Sequence, residues 1–133
     1  MTGDTGELLR DVADAMCRND LERFLELHTP DAEIFPLVVS LEGGSYRGQE
    51  GLRRFWEDIH GAFDDWCPQL ENIREVGGVT VVAICLRGRG RDSGIAVERH
   101  VWQVGVVRES KLARWRIYTS EGEAFEAAGR GGP

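Results

Sequence analysis

The sequence is poor in cysteine, has no long apolar run and carries too few basic residues to balance its acidic ones. Its 16 lysines and arginines compare with 23 aspartates and glutamates, which gives a formal charge of −7. This excess argues against a nucleic-acid-binding protein, which needs a basic face. No apolar run approaches the roughly 20 residues of a membrane span, and the polar, acidic N-terminus is unlike a signal peptide. We therefore expect a cytoplasmic protein with neither nucleic acid nor membrane as a partner.

The cysteines also give little indication of a special site. Cys17, Cys67 and Cys85 lie far apart, without a Cys-x-x-Cys motif or a nearby histidine pair. A disulfide framework or a zinc site would show pairing or ligand spacing, so we predict three reduced thiols. The three histidines lack the HxH and HExxH spacings of metal ligands. The sequence therefore predicts no metal site, and we expect no cofactor.

The chain is long enough to form one domain, residues 1–133, with a buried core of its own. Two capping boxes, Asp4-x-x-Glu7 and Asn19-x-x-Glu22, predict two helices near the N-terminus. A third helix is predicted over 48–64, because apolar residues recur there at helical spacing: Leu52, Phe55, Trp56, Ile59 and Phe63. Together these segments supply most of the helical apolar surface in the chain.

From Cys67 onward the apolar residues alternate with a period of two, which is typical of strands. After an earlier extended segment over 32–39, strands are predicted over 68–76, 79–91, 95–107 and 112–120. Ser120 is predicted to cap a short final helix. Helices followed by an antiparallel meander indicate an α+β fold.

Strand alternation also predicts which residues face the helices. The inward set is Ile84, Leu86, Trp102, Trp115 and Ile117. Glu98 and His100 share the predicted face of Trp102, so they too are expected to point inward. The opposite face would combine arginines with Val97, Val101 and Tyr118, and this mixed surface predicts a homodimer interface.

Several separated segments resemble the SnoaL-like proteins of the nuclear-transport-factor-2-like superfamily. The segment Tyr46-Arg47-Gly48, continued by Gly51-Leu52 and Phe55, is similar to the start of the third helix in that group. The runs 101–104, 110–118 and 123–129 also resemble it, and the similarity extends over 8–129. The resemblance implies a cone-shaped α+β fold, with N-terminal helices packed on a curved antiparallel sheet around a small-molecule pocket. It also implies a homodimer formed through the outer sheet face.

The catalytic residues of two enzyme groups in this superfamily have no counterpart here. The positions that correspond to the ketosteroid isomerase set are occupied by Val12, Pro36 and Trp102. Those of the limonene epoxide hydrolases correspond to Ile84, Leu86 and Ile117. None of these side chains can transfer a proton, so the resemblance implies neither reaction.

The similarity to polyketide cyclases leaves one candidate catalytic pair. Those enzymes use a histidine and an aspartate, and His100 matches the histidine while Glu98, on the same strand face, is the available carboxylate. A neighbouring carboxylate would raise the pKa of His100 and favour its use as a general base. The alternative is that Glu98 lies at the rim, paired with Arg54 or Arg99.

The expected ligand is small and mainly apolar. Aromatic and aliphatic residues would form the pocket walls and stack on a planar ring system: Phe24, Phe55, Trp56, Ile59, Phe63, Leu86, Trp102, Trp115 and Ile117. Two functions follow from this pattern. The first is cofactor-free isomerase, cyclase or dehydratase chemistry, and the second is a non-catalytic binding module or a dimerisation scaffold.

Two further groups of polar residues are interpreted as structural. His28 is predicted to cap the end of the second helix as an imidazolium. The acidic pairs Glu57-Asp58 and Asp64-Asp65 are interpreted as solvated charge on the polar side of the third helix.

Overall fold

The computed structural model describes residues 2–37 and 44–133. These residues form four helices: α1 Thr2–Cys17, α2 Leu21–Glu26, α3 Gly48–Ala62 and α4 Glu121–Gly129. They also form six strands: β1 His28–Phe35, β2 Tyr46–Arg47, β3 Phe63–Val76, β4 Val79–Gly90, β5 Ala96–Arg108 and β6 Lys111–Tyr118. The strand predicted over 32–39 thus begins earlier, at His28, and its last two residues lie outside the described segments.

The strands form one curved sheet in the order β2-β1-β6-β5-β4-β3. All neighbours are antiparallel except β1 and β6, which pair in parallel. Pro68 is accommodated because β3 is an edge strand, where a missing N–H costs no ladder bond. The predicted α+β class, with helices packed on a curved sheet, is confirmed.

The helix starts differ from two of the predicted caps. The first helix begins at Thr2, so Asp4 lies inside it and does not cap it. The second is capped by Asp20 and not by Asn19, because the Asp20 carboxylate accepts a hydrogen bond from the Arg23 N–H at 3.2 Å. Ser120 caps α4 as predicted, accepting from the Glu123 N–H.

The third helix begins at a glycine with a backbone conformation that other residues rarely adopt. Gly48 has φ of +71° and follows the extended residue Arg47, so the chain turns sharply from β2 into α3. The apolar stripe then buries Leu52, Phe55 and Trp56. Helix α3 is thereby held close to the sheet.

The sheet has two differently covered faces. The inner face, which carries Val82 and Ile84 of β4, packs under α1 and α3 in the main core. The outer face carries Val81 and Val104, over which α4 packs through Ala124 and Ala128. Both faces of the central strands are therefore partly apolar and buried.

One prediction about the cysteines is wrong. Cys17, the last residue of α1, is disulfide-bonded to Cys67 of β3, with their Cα atoms 4.3 Å apart. The packing of α1 against β3 brings together two residues that are 50 positions apart in sequence. Cys85 is a free, buried thiol, as predicted.

Candidate functional site

A cavity of about 500 Å³ lies between the helices and the inner face of the sheet. Its helix wall is formed by apolar residues of α1 and α3, among them Leu9, Val12, Met16, Phe55 and Ile59. The sheet wall is formed by β3 to β6, including Leu70, Val82, Ile84, Leu86, Trp115 and Ile117. A mainly apolar concave site of this size is suited to a small organic molecule.

Exposure along the walls shows which end of the cavity opens to solvent. Val82, Ile84 and Ile117 are buried, whereas Leu86, further along β4, and Val97, at the start of β5, are half-buried. Phe63, at the start of β3, is also half-buried. The deep end thus lies near Trp115 and Ile117, and the mouth lies near Phe63 and Val97.

The predicted wall residues divide into two groups. Six of them line the cavity: Phe55, Ile59, Phe63, Leu86, Trp115 and Ile117. Phe24 and Trp56 instead pack on each other between α2 and α3, with ring centroids 5.0 Å apart. Trp102 packs with the α4 cluster on the outer face, so the predicted placement of Trp102 and Trp115 on one face is wrong.

The predicted alternation of side chains in β5 is displaced by one residue, so the residues assigned to each face of the strand lie on the other face. Val82 of the inner face pairs with Gln103, and Leu86 pairs with Arg99. Arg99, Gln103 and Val97 accordingly line the cavity. Val101, expected on the outer face, is 1% exposed in the main core.

Glu98 and His100 therefore lie on the outer face and do not reach the cavity. The Glu98 carboxylate is 2.9 Å from the Arg87 guanidinium, and His100 Nδ1 is 3.2 Å from the Glu71 carboxylate. Both side chains are 59% exposed. The structure does not pair them with each other, and a catalytic role for this pair in the cavity has no geometric support.

Most of the positions that correspond to catalytic residues of the ketosteroid isomerases and the limonene epoxide hydrolases line the cavity. Val12 and Pro36 contribute to its walls, as do Ile84, Leu86 and Ile117. Trp102 is the exception, because of the exchanged faces of β5. The wall thus carries aliphatic side chains where those enzymes carry acids and bases.

A tyrosine–aspartate pair is the acid–base group that the sequence interpretation missed. The Tyr46 hydroxyl donates a hydrogen bond to the Asp58 carboxylate at 2.5 Å, and both residues line the cavity. Asp58 is exposed, in agreement with its interpretation as solvated charge, but it also lines the cavity, which that interpretation did not include. Asp58 follows Phe55 by three residues and precedes Ala62 by four, so helical spacing alone could have placed it beside the apolar stripe.

The inner face of β5 adds two more polar groups. Arg99 is exposed at the wall near the mouth, and Gln103 is half-buried further in. Within residues 2–37 and 44–133, neither side chain forms a hydrogen bond or an ion pair. Both are therefore available to a ligand.

Trp115 contributes only its ring to the cavity, because its N–H is already bonded. The indole N–H donates to His28 Nε2 at 3.2 Å, and His28 Nδ1 donates to the Phe24 carbonyl oxygen at 2.8 Å. Burial lowers the pKa of His28 to about 4, although the Phe24 contact acts in the opposite direction. His28 thus binds the last turn of α2 as predicted, but as a neutral imidazole.

Two aromatic rings form the wall near the mouth. The rings of Phe63 and Trp66 lie 4.9 Å apart, and both residues line the cavity. Trp66 lies directly over Gly88, where an added Cβ would be 2.9 Å from Trp66 Cε3. The absence of a side chain at Gly88 is what allows the Trp66 ring to approach β4 this closely.

Comparison with known proteins agrees with this architecture. The family model of a SnoaL-like domain matches residues 9–115. A hypothetical protein from Catenulispora acidiphila DSM 44928, with a ketosteroid isomerase-like fold and bound trimethylamine, superposes with a TM-score of 0.76 at 11% identity, covering 92% of each chain. A candidate polyketide cyclase from Sinorhizobium meliloti gives 0.69 at 20% identity, covering 84% of this chain and 94% of the other.

TerC, co-crystallised with polyporic acid, gives a TM-score of 0.75 at 17% identity, covering 92% of this chain and 96% of its own. At these identities the superpositions show a shared fold. No curated protein matches the sequence significantly. Among the described residues, no helix is long and apolar enough to cross a membrane.

Proposed function

Because the chain belongs to the SnoaL-like domain family, we propose that it binds a small, mainly apolar molecule in the cavity. The observation that carries this proposal is the 500 Å³ space with apolar walls on the inner face of the sheet. A space of this size left in a core costs stability, since its wall atoms lose packing partners. A ligand would restore those contacts. Structures of this fold that hold trimethylamine and polyporic acid lend further support.

Closing the cavity mouth tests this function. Wild-type protein should bind the neutral fluorescent probe N-phenyl-1-naphthylamine and increase its emission. In Val97→Trp, an indole at the mouth should obstruct the cavity and weaken binding at least about tenfold. The matched control is Ala96→Trp, because Ala96 precedes Val97 on the same strand, is exposed and pairs with Arg89 on the outer face. Equal binding by wild type and both variants would contradict the proposal.

A second candidate function is cofactor-free proton transfer, as in an isomerase, cyclase or dehydratase. The observation that favours it is the Tyr46–Asp58 hydrogen bond in the cavity wall. The Asp58 carboxylate can accept a proton from a ligand C–H bond, and the Tyr46 hydroxyl can stabilise that carboxylate or donate to an oxygen that becomes negative. This pair is an alternative to Glu98 and His100 as the acid–base group.

The chemical step can be followed without the physiological substrate. 2-Tetralone is an apolar ketone with an acidic C–H bond next to its carbonyl. In D₂O, Asp58 would remove that proton, exchange it with solvent and return a deuteron to the same carbon. We expect wild-type protein to accelerate deuterium incorporation and Asp58→Asn to lose the acceleration. Glu57→Gln is the control, since Glu57 is an exposed carboxylate outside the cavity wall; equal rates in all three proteins would remove the catalytic candidate.

A homodimer and a cytoplasmic location remain predictions. Two of the residues used to predict the dimer, Val97 and Val101, are on the inner face. The half-buried rings of Trp102 and Tyr118 on the outer face still favour association there. Light scattering that gives the monomer mass would refute the dimer. The Cys17–Cys67 disulfide is uncommon for a reducing compartment, so fractionation of cells should decide the location.

A further inference from the structure

Arg99 lies at the cavity wall as an exposed cation with no partner among residues 2–37 and 44–133. It extends from the inner face of β5 and is paired in the sheet with Leu86, whose side chain also lines the cavity. Within the described segments, Arg99 forms neither an ion pair nor a hydrogen bond. Its charge is therefore directed at a site that is otherwise mainly apolar.

Three arginines at the end of β4 and directly after it have polar partners. Arg87 pairs with Glu98 at 2.9 Å, and Arg91 pairs with Asp64 at 3.2 Å. Arg89 donates to the Gly94 carbonyl oxygen at 2.9 Å. These contacts are exposed to solvent, and each gives the guanidinium a carboxylate or a carbonyl oxygen as partner. In the part of the chain that the structure describes, Arg99 has no comparable contact.

The charge distribution favours an anion at Arg99 rather than elsewhere in the cavity. The chain has a net charge of −7, so an anionic ligand is repelled at long range and needs a local cation. The other ionisable groups in the described walls are Asp58 and Tyr46, which already share a hydrogen bond. A ligand anion near Asp58 would be repelled, whereas one near Arg99 would be attracted.

The surroundings of Arg99 also constrain the rest of the ligand. The rings of Phe63 and Trp66, together with Leu86 and Val97, form an apolar mouth on the same side of the cavity. Gln103 is four residues further along the same strand face, which corresponds to about 13 Å. An apolar ring system can occupy the space between a charged end at Arg99 and a hydrogen-bonding end at Gln103.

We propose that the ligand is an amphipathic organic anion, whose ring system fills the cavity while its carboxylate or comparable anionic oxygen binds the Arg99 guanidinium. A planar guanidinium matches the two oxygens of a carboxylate. This inference rests on the proposed binding function and specifies the chemical class of its ligand.

The test compares a charged probe with its neutral isostere. Binding of 2-naphthoate and 2-naphthamide is measured by calorimetry with wild type, Arg99→Gln and Arg99→Lys. We expect wild type to bind 2-naphthoate more tightly than 2-naphthamide. Arg99→Gln should bind 2-naphthoate about tenfold more weakly than wild type does, or by about 1.4 kcal/mol. Its affinity for 2-naphthamide should stay unchanged. Arg99→Lys should recover part of the preference. The control is Arg54→Gln, which changes net charge equally at an exposed α3 position outside the cavity wall.

The outcomes separate this inference from the proposed function. Equal binding of the two compounds by wild type would overturn the anion inference and leave apolar binding intact. Equal losses in Arg54→Gln and Arg99→Gln would also overturn it, since net charge alone would then explain the effect. If wild type binds neither naphthalene compound nor N-phenyl-1-naphthylamine, the proposed function fails and the inference fails with it.

Discussion

At the scale of single residues, a buried histidine holds the deep wall of the cavity in place. His28 is 1% exposed and accepts the indole N–H of Trp115 while donating to the Phe24 carbonyl oxygen. Since an indole nitrogen can only donate, the His28 proton must be on Nδ1. If Nε2 of His28 were also protonated, its N–H and the indole N–H of Trp115 would face each other as two donors in the core. The Trp115 ring that lines the cavity would then lose its hydrogen bond.

This contact predicts a loss of stability in acid. The pKa of His28 is about 4 in the folded protein and about 6.5 in the unfolded chain. As the pH decreases, His28 is protonated in the unfolded chain before it is protonated in the folded protein. The free energy of unfolding therefore does not depend on His28 above pH 6.5, and it decreases between pH 6.5 and pH 4. The expected loss is about 3 kcal/mol at pH 4. Urea unfolding between pH 7.5 and 4 measures it.

The control for this prediction is His28→Gln, which keeps hydrogen-bonding capacity but cannot titrate. Its free energy of unfolding should be lower than that of wild type at pH 7.5, and the difference should shrink as pH falls. The other histidines and the carboxylates contribute equally to the pH dependence of unfolding in both proteins. Parallel pH profiles for wild type and His28→Gln would contradict the predicted role.

At this same scale, the faces of β4 could be predicted from the sequence and those of β5 could not. In β4, Val82, Ile84 and Leu86 share one face, whereas Arg87 and Arg89 lie on the other, which identifies the inner face. In β5, Trp102 and Val104 look more apolar than Arg99 and Gln103. They are covered on the outer face by α4, so both faces of β5 are partly buried and alternation no longer indicates which one meets the helices.

At the scale of elements, the Cys17–Cys67 disulfide joins two walls of the cavity. Cys17 follows Met16 of α1, while Cys67 lies between Trp66 and Pro68 of β3, and these three neighbours line the cavity. The bond therefore fixes α1 against the edge strand. Sequence spacing could not predict it, since the contact arises only when α1 packs on β3.

Removal of this bond should destabilise the fold. A crosslink that closes a loop of 50 residues is expected to contribute about 4 kcal/mol by restricting the unfolded chain. Wild type should therefore unfold at lower urea concentration after reduction, and the Cys17→Ser/Cys67→Ser double variant should match the reduced protein with or without reductant. Thiol titration of the unreduced, denatured wild type should find Cys85 alone. Three free thiols would contradict the disulfide.

The helices and most strands were predictable because each has a strong local pattern. The apolar stripe of α3 and the alternation in β4 identify these elements without tertiary information. The element boundaries were less accurate: β3 begins at Phe63 and passes through an irregularity between Asp64 and Cys67. The parallel pairing of β1 with β6 likewise depends on how the N-terminal helices turn the chain across the sheet.

At the scale of the whole molecule, the curved sheet and the helices above it enclose a space that their side chains do not fill. The walls come from both ends of the chain: α1 supplies Val12 and β6 supplies Trp115. The predicted residues that do line the cavity come from the α3 stripe, as Phe55 and Ile59 do, and from strand alternation, as Leu86 and Ile117 do. The polar groups Tyr46 and Arg99 depend on tertiary placement, which local patterns do not encode, whereas helical spacing places Asp58 beside the α3 stripe.

The most direct test of the account is an NMR titration of the four tryptophan indole N–H signals with 2-naphthamide. Trp66 and Trp115 line the cavity, Trp56 packs against Phe24, and Trp102 lies on the outer face. We predict saturable shifts of the Trp66 and Trp115 signals, together with the Gln103 side-chain amide, and little change at Trp102. A titration in which Trp102 shifts while Trp66 and Trp115 do not would contradict both the site and the orientation of β5.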